Sequence, residues 1–489
     1  MEIAVVGDSI DLEMRIFEGP QATIDKVIIE GNDRTHEHVI RREVRTQPGQ
    51  KFSRSDIIRS QRQIINLGFF DPEQLDIQTP VDPQRGTVDI VYKVVERPND
   101  QLELSAGWGG FGRSSIIGTL GVTFNNFSLR NILNRSAWHP LPTGDGQKLS
   151  IRAQTNGEFY QSYNFSFTEP WLGGKKPTSF TVGAVHTSIN NEFFQGGSLK
   201  ITRAFAGIGT RLRWPDDNFV LNVTANLENI NLNNYTTNGF VYNGELVRFG
   251  KFNNYYLQIA LTRTTINEPI FPRSGSRIGL TAQITPPYTA LGREISDFTD
   301  AEEVLKWVEY HKWRFDAEWF APLGSKLVVR TAVKMGFLGY YNPQIGTPPF
   351  EKFELGGDGI SNQQFGILGR DIIALRGYEV GQLPANAAGG AAVFNKLTME
   401  IRYPIANQPS STIYVLSFLE AGNSWLEGDK YDPFDLKRSV GLGLRVFLPM
   451  FGLLGFDYGW GWDKPALNAI DAPLKEYGRF NVILGFEPD

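Results

Sequence analysis

Residues 312–319 read Lys-Trp-Arg-Phe-Asp-Ala-Glu-Trp, and charged residues alternate there with apolar ones. Because successive side chains of a β-strand point to opposite faces, this pattern predicts a strand over about 306–320 that has one polar and one apolar face. The polar face consists of Lys312, Arg314, Asp316 and Glu318, and the apolar face of Trp313, Phe315, Ala317 and Trp319. Aromatic residues facing lipid and charged residues facing a lumen are typical of a membrane-spanning barrel, whereas a soluble sandwich buries its apolar face.

Similar alternating segments recur from about residue 101 to the end, separated by turn-rich loops. Charges such as Arg152, Arg330 and Arg402 lie on their polar faces. The other segments are about 102–109, 115–126, 147–155, 159–168, 178–188, 198–213, 218–230, 252–263, 276–286, 326–338, 392–404, 412–421, 437–447, 453–461 and 478–486. With the first segment they number about sixteen, and bacterial single-chain barrels have an even number of strands. We therefore predict a mainly β chain whose residues 98–489 form a sixteen-stranded antiparallel transmembrane barrel.

The composition agrees with this prediction. The 489-residue chain has a net charge of −5, no cysteine, 51 glycines and 34 phenylalanines. Its mean hydropathy is −0.25, and it contains no apolar run long enough for a transmembrane helix. The absence of cysteine excludes disulfides, thiolate metal sites and cysteine nucleophiles, and the charge does not indicate nucleic-acid binding.

The first residues resemble the end of another domain. Residues 10–17 alternate like a strand but have no domain of their own, so residues 1–20 are interpreted as the last strand of a preceding module. Met1-Glu2-Ile3 begins neither a basic nor an apolar signal region. We therefore expect the chain to be an N-terminally truncated part of an exported protein.

Residues 21–97 predict a small α+β domain of order β-α-α-β-β. Thr23–Glu30 reads as a strand, Thr35 as the N-cap of a helix that runs to about Arg45, and Ser53 as the N-cap of a second helix. Two further strands follow near residues 75–78 and 88–94.

The two helices carry several basic residues, namely Arg41, Arg42, Arg45, Arg54, Arg59 and Arg62. Two interpretations remain open, a solvated helix face and a polar platform for a partner chain. His36 and His38 flank a helix start, where their side chains are expected to diverge, and no third ligand is near in the sequence. We predict no metal site and no cofactor.

The longest segment without strand alternation, about 340–391, contains Leu375-Arg376-Gly377-Tyr378-Glu379. Long loops in compact proteins are usually functional or disordered. This loop is too rich in apolar residues to be expected to remain exposed to solvent. These residues are Phe350, Phe353, Leu355, Phe365, Ile367, Leu368, Ile372, Ile373 and Leu375. We expect the loop to be buried and Arg376 to pair with a carboxylate.

A closed barrel must pair its first strand with its last. The first strand, within residues 102–112, is weakened by Gly107, Gly109, Gly110 and Gly112. The last strand contains Phe480, Val482, Leu484, Gly485 and Phe486. All of these except Gly485 are expected to face lipid. These residues define the predicted lateral seam. The alternative is that the glycines only permit a sharp bend.

Together these features resemble the BamA family of outer-membrane protein assembly factors, in which polypeptide-transport-associated (POTRA) domains precede a sixteen-stranded barrel. The matching elements are Glu354-Leu355-Gly356-Gly357, Leu375-Arg376-Gly377-Tyr378, Phe418-Leu419-Glu420-Ala421-Gly422 and Phe456-Asp457-Tyr458-Gly459, and the last strand resembles the family's C-terminal signal. The family has Asp where this chain has Glu420, and Glu487-Pro488-Asp489 extends past the usual terminal aromatic residue. Loops near residues 156–195 are similar to those of Bacteroidetes members.

The resemblance implies that the sixth extracellular loop folds into the lumen and that Arg376 pairs with acidic groups of the inner wall. Glu420 occupies the family's acidic position. Strand parity independently turns Glu400 inward, because Leu397, Met399 and Ile401 share the other face. Leu375, Arg376, Gly377, Tyr378, Glu400 and Glu420 define the predicted loop latch.

The resemblance also implies a function. The protein would insert and fold nascent outer-membrane proteins through the lateral seam, as a non-enzymatic subunit of the Gram-negative outer membrane with its POTRA domain in the periplasm. Its partners would be nascent barrels, accessory lipoproteins, periplasmic chaperones and lipid.

The main alternative is a related polypeptide secretion pore of the two-partner type. A lipase is disfavoured because His139, His186 and His311 lie in no catalytic motif, and a plain porin would not need a POTRA domain.

Overall fold

The structure is a computed structural model. It describes residues 2–6, 9–13, 21–108, 116–138, 141–157, 159–190, 196–236, 240–266, 268, 270–357, 371–379, 382–383, 385, 389–408, 411–448, 452–464 and 473–485. The chain separates into two compact units, residues 1–101 with 124–148, and residues 102–123 with 149–489. Within the described ranges, no helix is both long and apolar enough to cross a bilayer.

The first residues form a hairpin rather than the single strand expected from the sequence. Strand β1 (Glu2–Val6) pairs with β2 (Ser9–Glu13) in antiparallel register. Residues 14–20, which the predicted strand partly covered, lie outside the described residues. The assignment of residues 1–20 to a preceding domain stays a prediction.

The α+β domain has the predicted β-α-α-β-β order with one short extra strand. Its elements are β3 (Thr23–Glu30), α1 (Glu37–Arg41), α2 (Arg54–Asn66), β4 (Asp76–Gln78), β5 (Val81–Asp82) and β6 (Thr87–Lys93). Strand β6 is central, parallel to β3 and antiparallel to β4 and β5. Helix and sheet faces meet in an apolar core that includes Ile24, Val39, Ile40, Ile64, Ile90 and Tyr92.

One of the two predicted helix caps is correct. Ser53 Oγ accepts a hydrogen bond from the Asp56 amide (3.3 Å), as expected for the N-cap of α2. Thr35 is not the cap of α1, because α1 starts after His36, whose backbone is extended and whose side chain makes no capping bond. The Thr35 hydroxyl instead accepts from Asn126 Nδ2 (2.8 Å). Helix α1 also ends at Arg41, earlier than predicted.

The second unit is built on a sixteen-stranded antiparallel sheet, which confirms the predicted fold class. Its strands are β7 (Gln101–Trp108), β8 (Ile116–Phe127), β9 (Gln147–Asn156), β10 (Tyr160–Glu169), β11 (Thr178–Asn190), β12 (Ser198–Arg211), β13 (Phe219–Asn233), β16 (Gly250–Thr264), β17 (Gly275–Ile284), β18 (His311–Leu323), β19 (Leu327–Gly339), β22 (Val393–Gln408), β23 (Ser411–Trp425), β24 (Lys437–Leu448), β25 (Gly452–Gly461) and β26 (Gly478–Gly485). Hydrogen bonding runs in this order, with β7 and β26 at its two ends. Closure of the sheet by pairing β7 with β26 stays a prediction.

The remaining elements lie in the connections. They are β14 (Phe240–Tyr242), β15 (Glu245–Val247), α3 (Ala301–Leu305), β20 (Phe353–Leu355), β21 (Asp371–Ile373), α4 (Leu474–Tyr477) and the 3-10 turns Arg135–Ala137 and Gly428–Lys430. The predicted strand at 306–320 is wrong at its start. Asp300 accepts from the Glu302 amide and caps α3, which ends at Leu305, and β18 begins only at His311.

The two faces of the sheet differ as the sequence predicted. On β22, Met399, Ile401 and Tyr403 are exposed, whereas Glu400 and Arg402 are buried. The face that carries the buried charges is called the inner face below, because the segment 340–391 packs against it.

Candidate functional site

Most of the described part of segment 340–391 is buried, although it has little regular structure. Strands β20 and β21 pair in parallel within it. Phe350, Phe353, Leu355 and Leu375 have no exposed surface, and they pack in one apolar cluster with Phe394 of β22. Phe365, Ile367 and Leu368 lie outside the described residues. The loop therefore docks largely through apolar surface.

Arg376 lies between two carboxylates of neighbouring strands. Its Nε and Nη2 donate to Glu420 Oε1 at 3.0 and 2.8 Å, and Nη2 also donates to Glu400 Oε1 at 2.7 Å. Its backbone amide donates to Glu420 Oε2 at 2.8 Å. The guanidinium carbon lies 3.7 Å from the centre of the Phe418 ring. Arg376 is only 4% exposed, so its charge is compensated by these contacts and not by water.

Further charges surround this centre. Glu400 accepts from Arg402 Nη2 (2.6 Å), and Glu420 lies 3.0 Å from Lys396 Nζ. Asp457 accepts two bonds from Arg445, at 2.7 and 2.9 Å, and its Oδ2 lies 3.7 Å from Arg376 Nη1. The residues of this charged network are all buried, namely Arg376, Lys396, Glu400, Arg402, Glu420, Arg445 and Asp457. Alternating charges therefore join β22, β23, β24 and β25 on the inner face.

Gly377 and Tyr378 continue the contact. Gly377 has φ +93°, and a Cβ there would lie 2.9 Å from the Gly461 amide nitrogen, so the position requires glycine on both counts. The buried Tyr378 hydroxyl donates to the Arg438 carbonyl (2.8 Å) and accepts from the Asp463 amide (3.1 Å). The loop thus approaches the backbone of β25 and bonds the backbone at the start of β24.

Glu379 extends the contact to the last strand. Its carboxylate forms an ion pair with Arg479 of β26. Residues 376–379 therefore touch five consecutive strands, β22 to β26, including the strand that ends the sheet.

A second anchor of the same loop was missed by sequence reasoning. Lys312 Nζ of β18 lies 3.0 Å from Glu351 Oε2 and 3.0 Å from Asp371 Oδ2. Arg314 also reaches Asp371 (3.3 Å), and Asn254 donates to Glu351 (2.8 Å). Lys312 lay on the predicted polar face, but nothing in the sequence around Glu351 or Asp371 identifies them as its partners.

The predicted seam residues fall on the two end strands. Gly107 belongs to β7, and Phe480, Val482, Leu484 and Gly485 belong to β26. Phe480 is exposed and stacks on Phe456 of β25, with ring centres 6.3 Å apart. The other predicted seam residues, Gly109, Gly110, Gly112 and Phe486, lie outside the described residues.

The expectation that His36 and His38 diverge without a third ligand is wrong. Both reach the same oxygen of Asp145, which lies 2.8 Å from His36 Nδ1 and 3.7 Å from His38 Nε2. His36 precedes the helix in extended backbone, so its side chain is not placed by helical geometry. The pKa of Asp145 is lowered: burial opposes the charge, but hydrogen bonds from Ser128 and His36 outweigh it.

Comparison with known proteins places the chain in a class. Residues 143–487 match the family model of the Omp85 superfamily domain, and residues 22–97 match the POTRA model, described as a surface antigen variable number repeat. The chain belongs to the Omp85 superfamily.

Particular relatives are similar over most of the chain. The outer membrane protein assembly factor BamA of Neisseria meningitidis serogroup B is 23% identical over 444 residues, which are 87% of this chain and 49% of that protein. BamA of Nitratidesulfovibrio vulgaris is 24% identical over 93% of this chain and 50% of its own length. The chain thus spans about half the length of these two relatives.

Solved structures share the fold. BamA from Haemophilus ducreyi lacking POTRA domains 1–3 superposes with a TM-score of 0.62 at 18% identity, covering 96% of this chain and 84% of that one. CdiB from Acinetobacter baumannii gives 0.52 at 13% identity, covering 91% and 71%. The predicted localisation is confirmed at the level of the family: an outer-membrane protein with its POTRA domain in the periplasm.

Proposed function

We propose that this chain is the POTRA-and-barrel part of the central subunit of an outer-membrane protein assembly machinery, which inserts and folds nascent β-barrel proteins. The observation that carries the proposal is the docking of residues 376–379 across β22 to β26 on the inner face. The similarity to BamA proteins supports it. No bond is made or broken in this function, and no catalytic residue is assigned.

The loop latch has a mechanical role in this proposal. Arg376, Glu400 and Glu420 hold the strands before the sheet edge as one block, and the Glu379–Arg479 pair attaches β26 to that block. A shift of any of these strands would separate buried ion pairs, and an unpaired buried charge costs several kcal/mol of free energy. The ion pairs therefore stiffen the block. We therefore expect strand separation to occur between β7 and β26 and not within this block.

The lateral seam is the proposed site of substrate entry. Strands β7 and β26 end the hydrogen-bonded order, and the glycines of the first strand weaken any pairing between them. If the seam opens sideways, its free edges can template a strand of an incoming protein by β-augmentation. The outer strands β3 and β4 of the POTRA sheet offer further edges for the same mode of binding.

The proposed partners follow from this role. They are nascent outer-membrane proteins and the lipid bilayer, together with accessory lipoproteins and periplasmic chaperones. A related polypeptide secretion pore is the second candidate, and the likeness to CdiB favours it, although with a lower TM-score than that to BamA.

A disulfide across the seam tests the mechanism. One cysteine is placed in β7 and one in β26, and pairs are scanned over residues 102–107 and 480–485, since the chain has no native cysteine. We expect oxidation to stop insertion of a substrate barrel in proteoliposomes and reduction to restore it. A cross-linked protein that inserts substrate at the parental rate would rule out lateral opening.

The matched control is a disulfide between two adjacent strands that are not expected to separate during insertion. Ala317 of β18 and Val333 of β19 face each other in register, so a cysteine pair there should leave insertion unchanged in both redox states. If the parent protein itself shows no insertion but moves a polypeptide across the vesicle membrane, the secretion pore is the correct function.

A further inference from the structure

His36, His38 and Asp145 form a cluster that the function above does not use. The ligand atoms of the three side chains all lie within 4.8 Å of one another. The two imidazole rings are tilted by 34° with their centres 5.7 Å apart. The cluster combines two nitrogen donors and one carboxylate, which is a ligand set that divalent transition metals accept.

We propose that His36, His38 and Asp145 form a binding site for a divalent transition metal ion such as zinc. The ion would join the start of α1 to the turn that precedes β9, which lie 109 residues apart in the sequence. All three residues belong to the first compact unit.

The distances are close to those that a metal requires. Zinc binds nitrogen and oxygen at about 2.0–2.2 Å, which places tetrahedral ligand atoms roughly 3.3–3.5 Å apart. Asp145 Oδ1 now lies 2.8 Å from His36 Nδ1 and 3.7 Å from His38 Nε2. The first of these distances is shorter and the second longer than this separation, and all three ligand atoms lie within 4.8 Å of one another.

The carboxylate is held in place by its surroundings. Asp145 is 4% exposed, and its second oxygen accepts from Ser128 Oγ at 2.6 Å. Metal ligands are commonly oriented by such outer hydrogen bonds. The bound ion would replace the hydrogen bond between His36 and Asp145 and leave the bond from Ser128 intact.

The backbone on both sides is also fixed. The His36 amide donates to the Gly144 carbonyl (2.9 Å), and the Gly146 amide donates to Asn126 Oδ1 (2.9 Å). Gly144 has φ +130°, and a Cβ there would lie 3.0 Å from His36 Cε1. The turn therefore approaches the histidine more closely than a residue with a side chain allows.

The histidine side chains remain accessible. They are 42% and 52% exposed, whereas Asp145 is buried. An ion can thus enter from solvent and keep water at its remaining coordination position. Arg42 and Arg130 act electrostatically on His38, so we expect them to weaken the binding of a cation and the Asp145 carboxylate to favour it.

The test is a zinc titration of the whole chain in detergent, with any affinity tag removed and binding measured by calorimetry. Elemental analysis after dialysis then measures the zinc content of the protein. We expect one zinc ion per chain, and no binding of Mg²⁺ under the same conditions, because Mg²⁺ prefers oxygen ligands. Absence of stoichiometric zinc binding would overturn the proposal.

The variant His38→Gln identifies the site. It removes one ligand and preserves the structural bond between His36 and Asp145, so the fold is retained and zinc affinity should fall at least tenfold. His186→Gln is the matched control, because His186 lies on β11 and outside the cluster. Equal zinc binding in the parent and His38→Gln would assign the ion elsewhere and contradict the proposal. Neither measurement depends on insertion activity.

Discussion

The two anchors of the inward-folded loop differ in how they compensate buried charge. Lys312 is a single ammonium that contacts two carboxylates of the loop, and one of them, Asp371, has a side chain that is 31% exposed. Arg376 reverses the arrangement, because the loop supplies the cation and the strands supply the carboxylates. Its partners Glu400 and Glu420 are almost completely buried.

The difference lies in geometry as well as in burial. A guanidinium is planar and presents several fixed donors, whereas an ammonium acts as a compact point charge. Arg376 therefore bonds two strands at once and stacks on Phe418, but Lys312 only attaches the loop to β18. We infer that the Arg376 anchor holds strands together and that the Lys312 anchor holds the loop in place.

The largest expected effect is that of Arg376→Glu, which would put a third carboxylate beside Glu400 and Glu420. Removing one partner of a buried pair costs about 3–5 kcal/mol, and the added repulsion increases the loss. We expect a protease-sensitive loop and a lower unfolding temperature, measured by heat-modified gel mobility. The latch proposal fails if this variant resists heat and protease and inserts substrate like the parent, whereas the assembly function could then still hold.

Arg376→Lys is the matched control for that variant. It keeps the charge but loses the planar fork, so its stability should lie between those of the parent and Arg376→Glu. A variant as stable as the parent would contradict the role of guanidinium geometry at this anchor, because a single positive charge would then be sufficient.

Lys312→Met should have a smaller effect. Glu351 and Asp371 lose a partner, but Arg314 and Asn254 still contact them, so we expect a loss of about 1–3 kcal/mol, the usual cost of an unsatisfied buried group. Limited proteolysis should cut within the loop while the gel mobility of the folded sheet persists. The exposed Lys200→Met on β12 is the control, and an equal loss in both variants would contradict a specific anchor.

The smallest change is expected for Glu379→Gln. The Glu379 and Arg479 side chains are 53% and 35% exposed, and a pair of this kind contributes about 0–1 kcal/mol. Stability should be nearly unchanged, while insertion should become less sensitive to salt if this pair controls the mobility of β26. A large loss of stability would mean that the last strand depends on the loop as strongly as β22 and β23 do.

The alternation of charged and apolar residues was sufficient to predict the sixteen strands, because each strand has a polar and an apolar face. Strand ends were less predictable, since β18 begins at His311 and not near residue 306. Parity also turned Glu400 inward, and the apolar flank of Arg376 indicated burial.

The tertiary structure alone decided which distant groups meet. Lys312 contacts Glu351 and Asp371, and His36 contacts Asp145. In each case the fold brings a loop next to a strand or helix that is distant in the sequence. The alternation of polar and apolar residues along a strand shows which face of the sheet a side chain occupies, since this depends only on residues nearby in the sequence. It does not report which loop covers that face, because the packing of buried surfaces determines the path of a loop.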